Sequence, residues 1–285
     1  MTPVTTLNES LADPRDMFAA HTMFRREFGL MPGLVRAVTP GDTQRATLVA
    51  DHIALLSGVL SQHHAGEDRY IWPRLRERCP QESGPLVDVI EDQHHAVRTR
   101  LLQVSKALQP WRDSASARAR GALAGAIDQL IAVITEHLAL EEERVVPLIV
   151  KHITDAEYAV LAQEHAAHIP PGKLPAVLGM IMYHGCPAVS DMILSRMPVE
   201  VRPAIKDLAV RAYAAYATDL HGTATPPGRR ANPVMWRILL CLLCRTLAAP
   251  TVAGHHSRCA RGGRGIALVP CRCPVVSPRK LARRN

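Results

Sequence analysis

Apolar positions recur at helical spacing through most of the first 150 residues, and strand-type alternation is weak throughout. The spacing predicts a first helix from about Pro14 to Ala37. Met17, Phe18, His21, Phe24, Phe28 and Leu34 form its stripe, and Pro14 sits in the first turn behind Asp13 as N-cap. A second helix starts near Gly41-Asp42 and runs through His52, Leu55, Leu56, Val59, Leu60 and His63 to Trp72, where Pro73 disrupts it. A third spans roughly Gly84 to Leu108 and is closed by Pro110, and a fourth runs from about Ser114 to Val146, where it meets Pro147. Connections this short favour antiparallel neighbours, so the expected architecture is all-α, an up-down-up-down four-helix bundle over residues 10–152.

A smaller helical extension is expected over 153–228. It has Asp155 as a cap, a break at Pro170-Pro171-Gly172, a helix from Leu174 to His184, and further segments near Cys186-Pro187 and from Val201 to Leu220. Ala209, Ala212, Tyr213 and Tyr216 share one face of the last. Residues 229–285 read as a disordered tail.

Charge sharpens that boundary. No Asp or Glu follows Asp219, whereas 229–285 carry twelve Lys and Arg, so the formal charge of +8 conceals a body of −4. Five of seven cysteines also lie in the tail. Cys79 and Cys186 alone in the body suit a reducing compartment without a disulfide framework. The start of the chain lacks a secretory pattern and no 18-residue apolar run occurs, so the expected setting is cytoplasmic, away from membranes. The tail suggests three readings: zinc binding through Cys241-x-x-Cys244 with His255, His256 and Cys259, electrostatic binding of nucleic acid or anionic lipid, or an unselected C-terminus that does not pack. The last is the expectation, and nucleic acid is not the expected partner.

The chemistry lies in a repeat. His63-His64-Ala65-Gly66-Glu67-Asp68-Arg69-Tyr70-Ile71-Trp72-Pro73 aligns without a gap on His137-Leu138-Ala139-Leu140-Glu141-Glu142-Glu143-Arg144-Val145-Val146-Pro147. Each holds His-x-x-x-Glu, which puts imidazole and carboxylate on one helix face, and each reaches Pro ten residues after its His. His21 precedes His63 by 42 residues and His94 precedes His137 by 43. Two equivalent hairpins, each giving one His from its first helix and His-x-x-x-Glu from its second, would bring His21, His63, Glu67, His94, His137 and Glu141 to the bundle core. That is the plan of dinuclear carboxylate sites in bundles.

Imidazole with carboxylate suits iron or manganese, and the absence of thiolates argues against structural zinc. With both glutamates bridging two non-haem irons, these six residues fill about eight of roughly twelve coordination positions. A solvent-derived oxo or hydroxo bridge and open positions for a small ligand remain. The register sets aside His64, whose repeat partner is Leu138. Asp68, Tyr70, His95, Arg98 and Glu142 are candidates for the surrounding shell, with His95 alternatively at the surface. His52 reads as a satisfied core histidine, and His165, His168 and His184 as packing or surface residues.

These residues resemble the hemerythrin-like, or HHE cation-binding, domain. The resemblance rests on His21 in HTMFRREF, on HHAGEDRYIWPRL at 63–75, on EDQHHAVRTRL at 91–101 and on HLALEEERVVPLI at 137–149. It implies a four-helix bundle with a non-haem iron pair. Residues 155–228 resemble, more loosely, the helical extension of some bacterial members. Oxygen-carrying hemerythrins place a second His one turn after the first on the third helix, where this chain has Arg98. The reduced ligand set weighs against reversible oxygen storage, and similar bacterial relatives are linked to peroxide, NO or iron-related stress. The resemblance therefore implies binding or decomposition of a small oxidant, peroxide first and O2 or NO next. The alternative is a non-enzymatic iron- or redox-sensing module that signals to a partner through the extension.

Overall fold

The computed structural model describes residues 10–226; the expectations for the tail lie outside them. Among the described residues there is no strand, only a single antiparallel bridge between Leu11 and Thr154. The bundle consists of α1 (Arg15–Ala37), α2 (Thr43–Tyr70), α4 (Pro80–Ser114) and α5 (Ala117–Leu140). Short α3 (Trp72–Arg78) lies between α2 and α4, and a π-helical turn (Glu141–Val145) followed by α6 (Val146–His152) extends α5. Neighbours around the bundle run α1, α2, α4, α5 and back to α1.

The two repeat prolines mark the two interruptions. Proline cannot donate to the carbonyl four residues back and its ring crowds that carbonyl. Before Pro73 the helix breaks at Ile71. Before Pro147 it widens, and the Val146 N–H donates to the Glu141 carbonyl, five residues back. Pro110 does not close α4 as expected. The helix continues to Ser114, held by Trp111, which is fully buried and outweighs the lost bond. Two caps also differ. Asp13 grips the Arg15 guanidinium rather than capping α1, whose N-cap position is Pro14. Thr154, not Asp155, caps the next helix, α7 (Asp155–His168), in a capping box with Glu157.

The core fills one end of the bundle with Phe24, Phe28, Met31, Val49, Ile53, Leu56, Trp111, Leu123 and Ile127. At the other end, buried Ile71, Trp72, Leu75, Val145, Val146 and Ile149 line the interruptions. An 18-residue window of Ala117–His152 has mean hydropathy 1.4, long and apolar enough by composition to cross a membrane. In the fold its apolar face is the core stripe Leu123, Ile127, Leu130, Ile134 and Leu138.

Residues 155–221 form α7 (Asp155–His168), α8 (Leu174–His184), α9 (Pro187–Ser195) and α10 (Arg202–His221). α7 packs on α2, α8 and α9 pack on α1, and α8 pairs with α10. Gly179 allows that last crossing, since a Cβ there would stand 2.2 Å from the Ala209 carbonyl oxygen. Helix backbone cannot yield as a side chain can. Gly179→Ala is expected to cost about 1–3 kcal/mol, the usual cost of overpacking; an unchanged thermal midpoint would contradict it.

Candidate metal centre

His21 enters from α1, His63, His64 and Glu67 from α2, His94 from α4 and His137 from α5, while Glu141 opens the π turn. All seven are buried. They form two groups whose candidate ligand atoms lie within 4.8 Å of one another: His21, His63, Glu67 and Glu141 in one, His64, Glu67, His94 and His137 in the other.

Each carboxylate spans the groups. Glu67 Oε1 is 3.0 Å from His63 Nε2, while its Oε2 is 3.6 Å from His94 Nε2. Glu141 Oε2 lies 3.4 Å from His21 Nε2 and 3.5 Å from His137 Nε2. Two bridging carboxylates flanked by imidazoles are what a pair of neighbouring cations needs.

The far side of three rings is fixed. His21 Nδ1 meets Glu142 Oε1 at 3.0 Å, His94 Nδ1 meets Asp68 Oδ1 at 2.7 Å, and His137 Nδ1 faces Gln93 Oε1 at 3.3 Å. Each oxygen accepts a hydrogen bond from the Nδ1–H, which leaves the Nε2 lone pair pointing inward for a metal. Glu142 is itself held by Arg25 at 2.6 Å and Asp68 by Arg98 at 3.1 Å. Against the upward push of burial, these bonds hold Asp68 and Glu142 below their ordinary carboxylate values.

A cation fits this set. His94 Nε2, His137 Nε2, both nitrogens of His64 and both oxygens of Glu67 and Glu141 are buried without a hydrogen-bond partner. Leaving so many polar atoms unmatched costs several kcal/mol, and bound cations would satisfy them together. Burial and then the Glu141 carboxylate push Glu67 well above its ordinary value. Burial pushes His63 and His64 well below theirs and His137 down to about 2, so these rings are neutral donors at pH 7.

His64 corrects the sequence reading. The repeat excludes it, yet its ring stacks on His94 at 4.2 Å and meets His137 edge-on at 4.6 Å. Adjacent helical residues diverge by about 100°, so His63 and His64 straddle the inner face of α2 and serve different groups. Three imidazoles therefore gather at one group without the missing α4 histidine.

The surrounding candidates divide. Asp68 and Glu142 hold ring nitrogens. Arg98 is half exposed and reaches the site only through Asp68, so it does not supply charge to a bound ligand directly. His95 is exposed and belongs to the surface. Tyr70 lies under the Arg69 guanidinium at 5.2 Å, and among the described residues no hydrogen bond joins it to the cluster.

His165 is a residue the sequence left in the packing class. Its Nε2 donates to the His63 carbonyl at 3.2 Å, and the two rings lie 5.1 Å apart. Gly66 admits it: a Cβ there would sit 2.5 Å from His165 Nε2 and 2.6 Å from Leu161 Cδ1. The HHAG spelling is the signal that α7 docks here.

Asp68→Asn leaves His94 its neighbour but removes the charge that fixes its tautomer. The expected result is a 10–100-fold loss of affinity at the His64–His94–His137 group, about what outer-shell changes cost. Metal titration checks it; an unchanged isotherm would contradict it.

A four-helix bundle with two buried, carboxylate-linked histidine groups defines a metal-binding bundle protein. The family model of the hemerythrin HHE cation-binding domain matches residues 14–109 and 85–170, and the chain belongs to that family. The match runs past the bundle into α7. No curated protein and no solved structure matches the chain.

Proposed function

We propose that the chain is a non-haem di-iron protein that binds or decomposes a small oxidant, hydrogen peroxide first and O2 or NO next. The observation that carries this reading is the pair of buried groups joined through Glu67, with histidine Nε2 atoms turned inward. When bound, the iron pair supplies two adjacent redox-active Lewis acids. The chain's residues do the rest. Together with the inward histidines, Glu67 and Glu141 would hold it; Asp68, Gln93 and Glu142 set ring orientation, and the apolar end beneath Trp72 limits water.

His64 removes the shortage of imidazoles that weighed against O2. Peroxide stays first because a redox-active cation pair would exchange the two electrons of its disproportionation, a reaction that consumes no net proton.

The sensing alternative is supported by His165, through which the extension touches the backbone of His63. An oxygen electrode separates the two. Iron-loaded protein given excess peroxide is expected to turn over repeatedly and release O2. A single stoichiometric oxidation per centre would overturn the enzymatic reading and leave the sensor.

A further inference from the structure

A second buried polar cluster lies where α8 and α10 meet α1 and α2, about 9 Å of helix rise along α1 from His21. Its hub is Glu27, 1% exposed. Glu27 Oε1 accepts from His184 Nε2 at 3.0 Å and from the Tyr213 hydroxyl at 3.3 Å, and its Oε2 lies 3.6 Å from His52 Nε2. The Tyr216 hydroxyl is 3.0 Å from His52 Nδ1. Arg26 donates to His184. Against burial, His184, His52 and Arg26 hold Glu27 below its ordinary carboxylate value, so it is an anion with a phenol hydrogen-bonded to it.

On its other side Tyr213 lines a cavity of about 350 Å³ between α8, α9 and α10. Tyr183, Met182, Pro187 and Val210 supply its apolar wall, with Ser190 and Lys206 as polar points. The Tyr183 and Tyr213 rings lie 5.1 Å apart, and Tyr183 is 41% exposed. The volume suits a one-ring or two-ring molecule. Toward the centre, Phe24 stands one turn before Glu27 with its ring 5.4 Å from that of His63.

We propose that this cavity binds a small aromatic one-electron donor, a phenol or hydroquinone, and that Tyr213 relays its electron to the metal centre. The proposal rests on the peroxide reading above. Tyr213 gives an electron inward and its phenolic proton to Glu27, then regains an electron from the donor and the proton from Glu27. Two donors together lose two electrons and two protons and become two phenoxyl-type radicals. One peroxide takes those electrons and protons and leaves as two waters. Tyr183, at the cavity's exposed lip and in contact with Tyr213, gives the donor ring a second aromatic surface beside Tyr213. A packing role for the cluster would need neither the cavity beside Tyr213 nor a base at its hydroxyl.

Two measurements on the full chain test this. Hydroquinone titrated into metal-free protein in a calorimeter should bind one saturable site, and Ala214→Phe, which fills the cavity from α10, should weaken it at least about tenfold. In iron-loaded protein freeze-quenched after peroxide, a tyrosyl radical should appear that Tyr213→Phe alters or abolishes. That variant should also slow hydroquinone oxidation at least about tenfold at equal iron content. Absence of saturable binding to the metal-free chain, or wild-type oxidation by Tyr213→Phe, overturns the proposal. If wild-type protein leaves peroxide untouched, the peroxide reading fails and the relay with it. Binding to the metal-free chain would then stand as a result about the cavity alone.

Discussion

Glu67→Gln is expected to empty both halves of the centre at once. Glu67 belongs to both groups, with one oxygen toward His63 and the other toward His94. Glutamine keeps the shape, removes the negative charge and places an NH2 where a cation must sit. Metal affinity should fall by more than about 100-fold, beyond what an outer-shell change costs. Stability should move the other way. In the metal-free wild type, burial and the Glu141 carboxylate already disfavour the ionised form of Glu67, and an amide is a neutral group of the same shape. Metal-free Glu67→Gln should therefore melt no lower than metal-free wild type, while metal no longer raises its midpoint. Elemental analysis and calorimetry read both quantities. Full metal content in the variant would remove Glu67 from the centre.

The second large effect is acid unfolding of the metal-free chain. Burial lowers His52 and His165 to about 4 and His137 to about 2, and it pushes His63 and His64 well below their ordinary value. Below about pH 6.5 the unfolded chain protonates all five while the folded chain does not. Each then removes about 1.4 kcal/mol of stability per pH unit as pH falls. Glu67 opposes them, since its raised value lets the folded chain hold a proton the unfolded chain has lost. The buried histidines outnumber Glu67, so stability falls as pH falls, by about 1.4 kcal/mol per unit for each net proton, against a typical total of about 5–15 kcal/mol. Cooperative unfolding is expected within about two units below pH 6.5, and metal should shift it to lower pH by stabilising the folded state. A circular-dichroism titration showing native metal-free helix at pH 4 would contradict this.

The bundle was legible because its helices carry their signals locally: a stripe at helical spacing, Asp42 as a working cap, and prolines at the two interruptions. The centre was legible where it obeys the repeat, which led from His63 and His137 to His21 and His94. It was hidden where symmetry fails. His64 has no counterpart at Leu138, and the same register that found four histidines discarded the fifth. Glu142 and Asp68 stand at equivalent positions and were legible as a pair. Gln93 was not, because an amide next to two histidines carries no spacing signal. The π turn follows from Pro147, but whether a proline breaks a helix or widens it depends on what packs around it. Pro110 shows the same dependence in α4, where buried Trp111 decides the outcome. The Glu27 cluster joins residues from four helices far apart in sequence, so no local pattern could announce it.

Gly66 has a further consequence. The two hairpins are near-equivalent, and a bundle of this kind presents two comparable outer faces to later helices. In the repeat, position 66 corresponds to position 140, which is Leu. Beside Gly66 the surface has a hollow one methyl group deep, which His165 and Leu161 fill; the corresponding position carries the full side chain of Leu140. The approximate twofold relation is therefore broken from outside as well as within. One omitted side chain lets α7 dock on a single flank of the centre, and that gives the centre a direction.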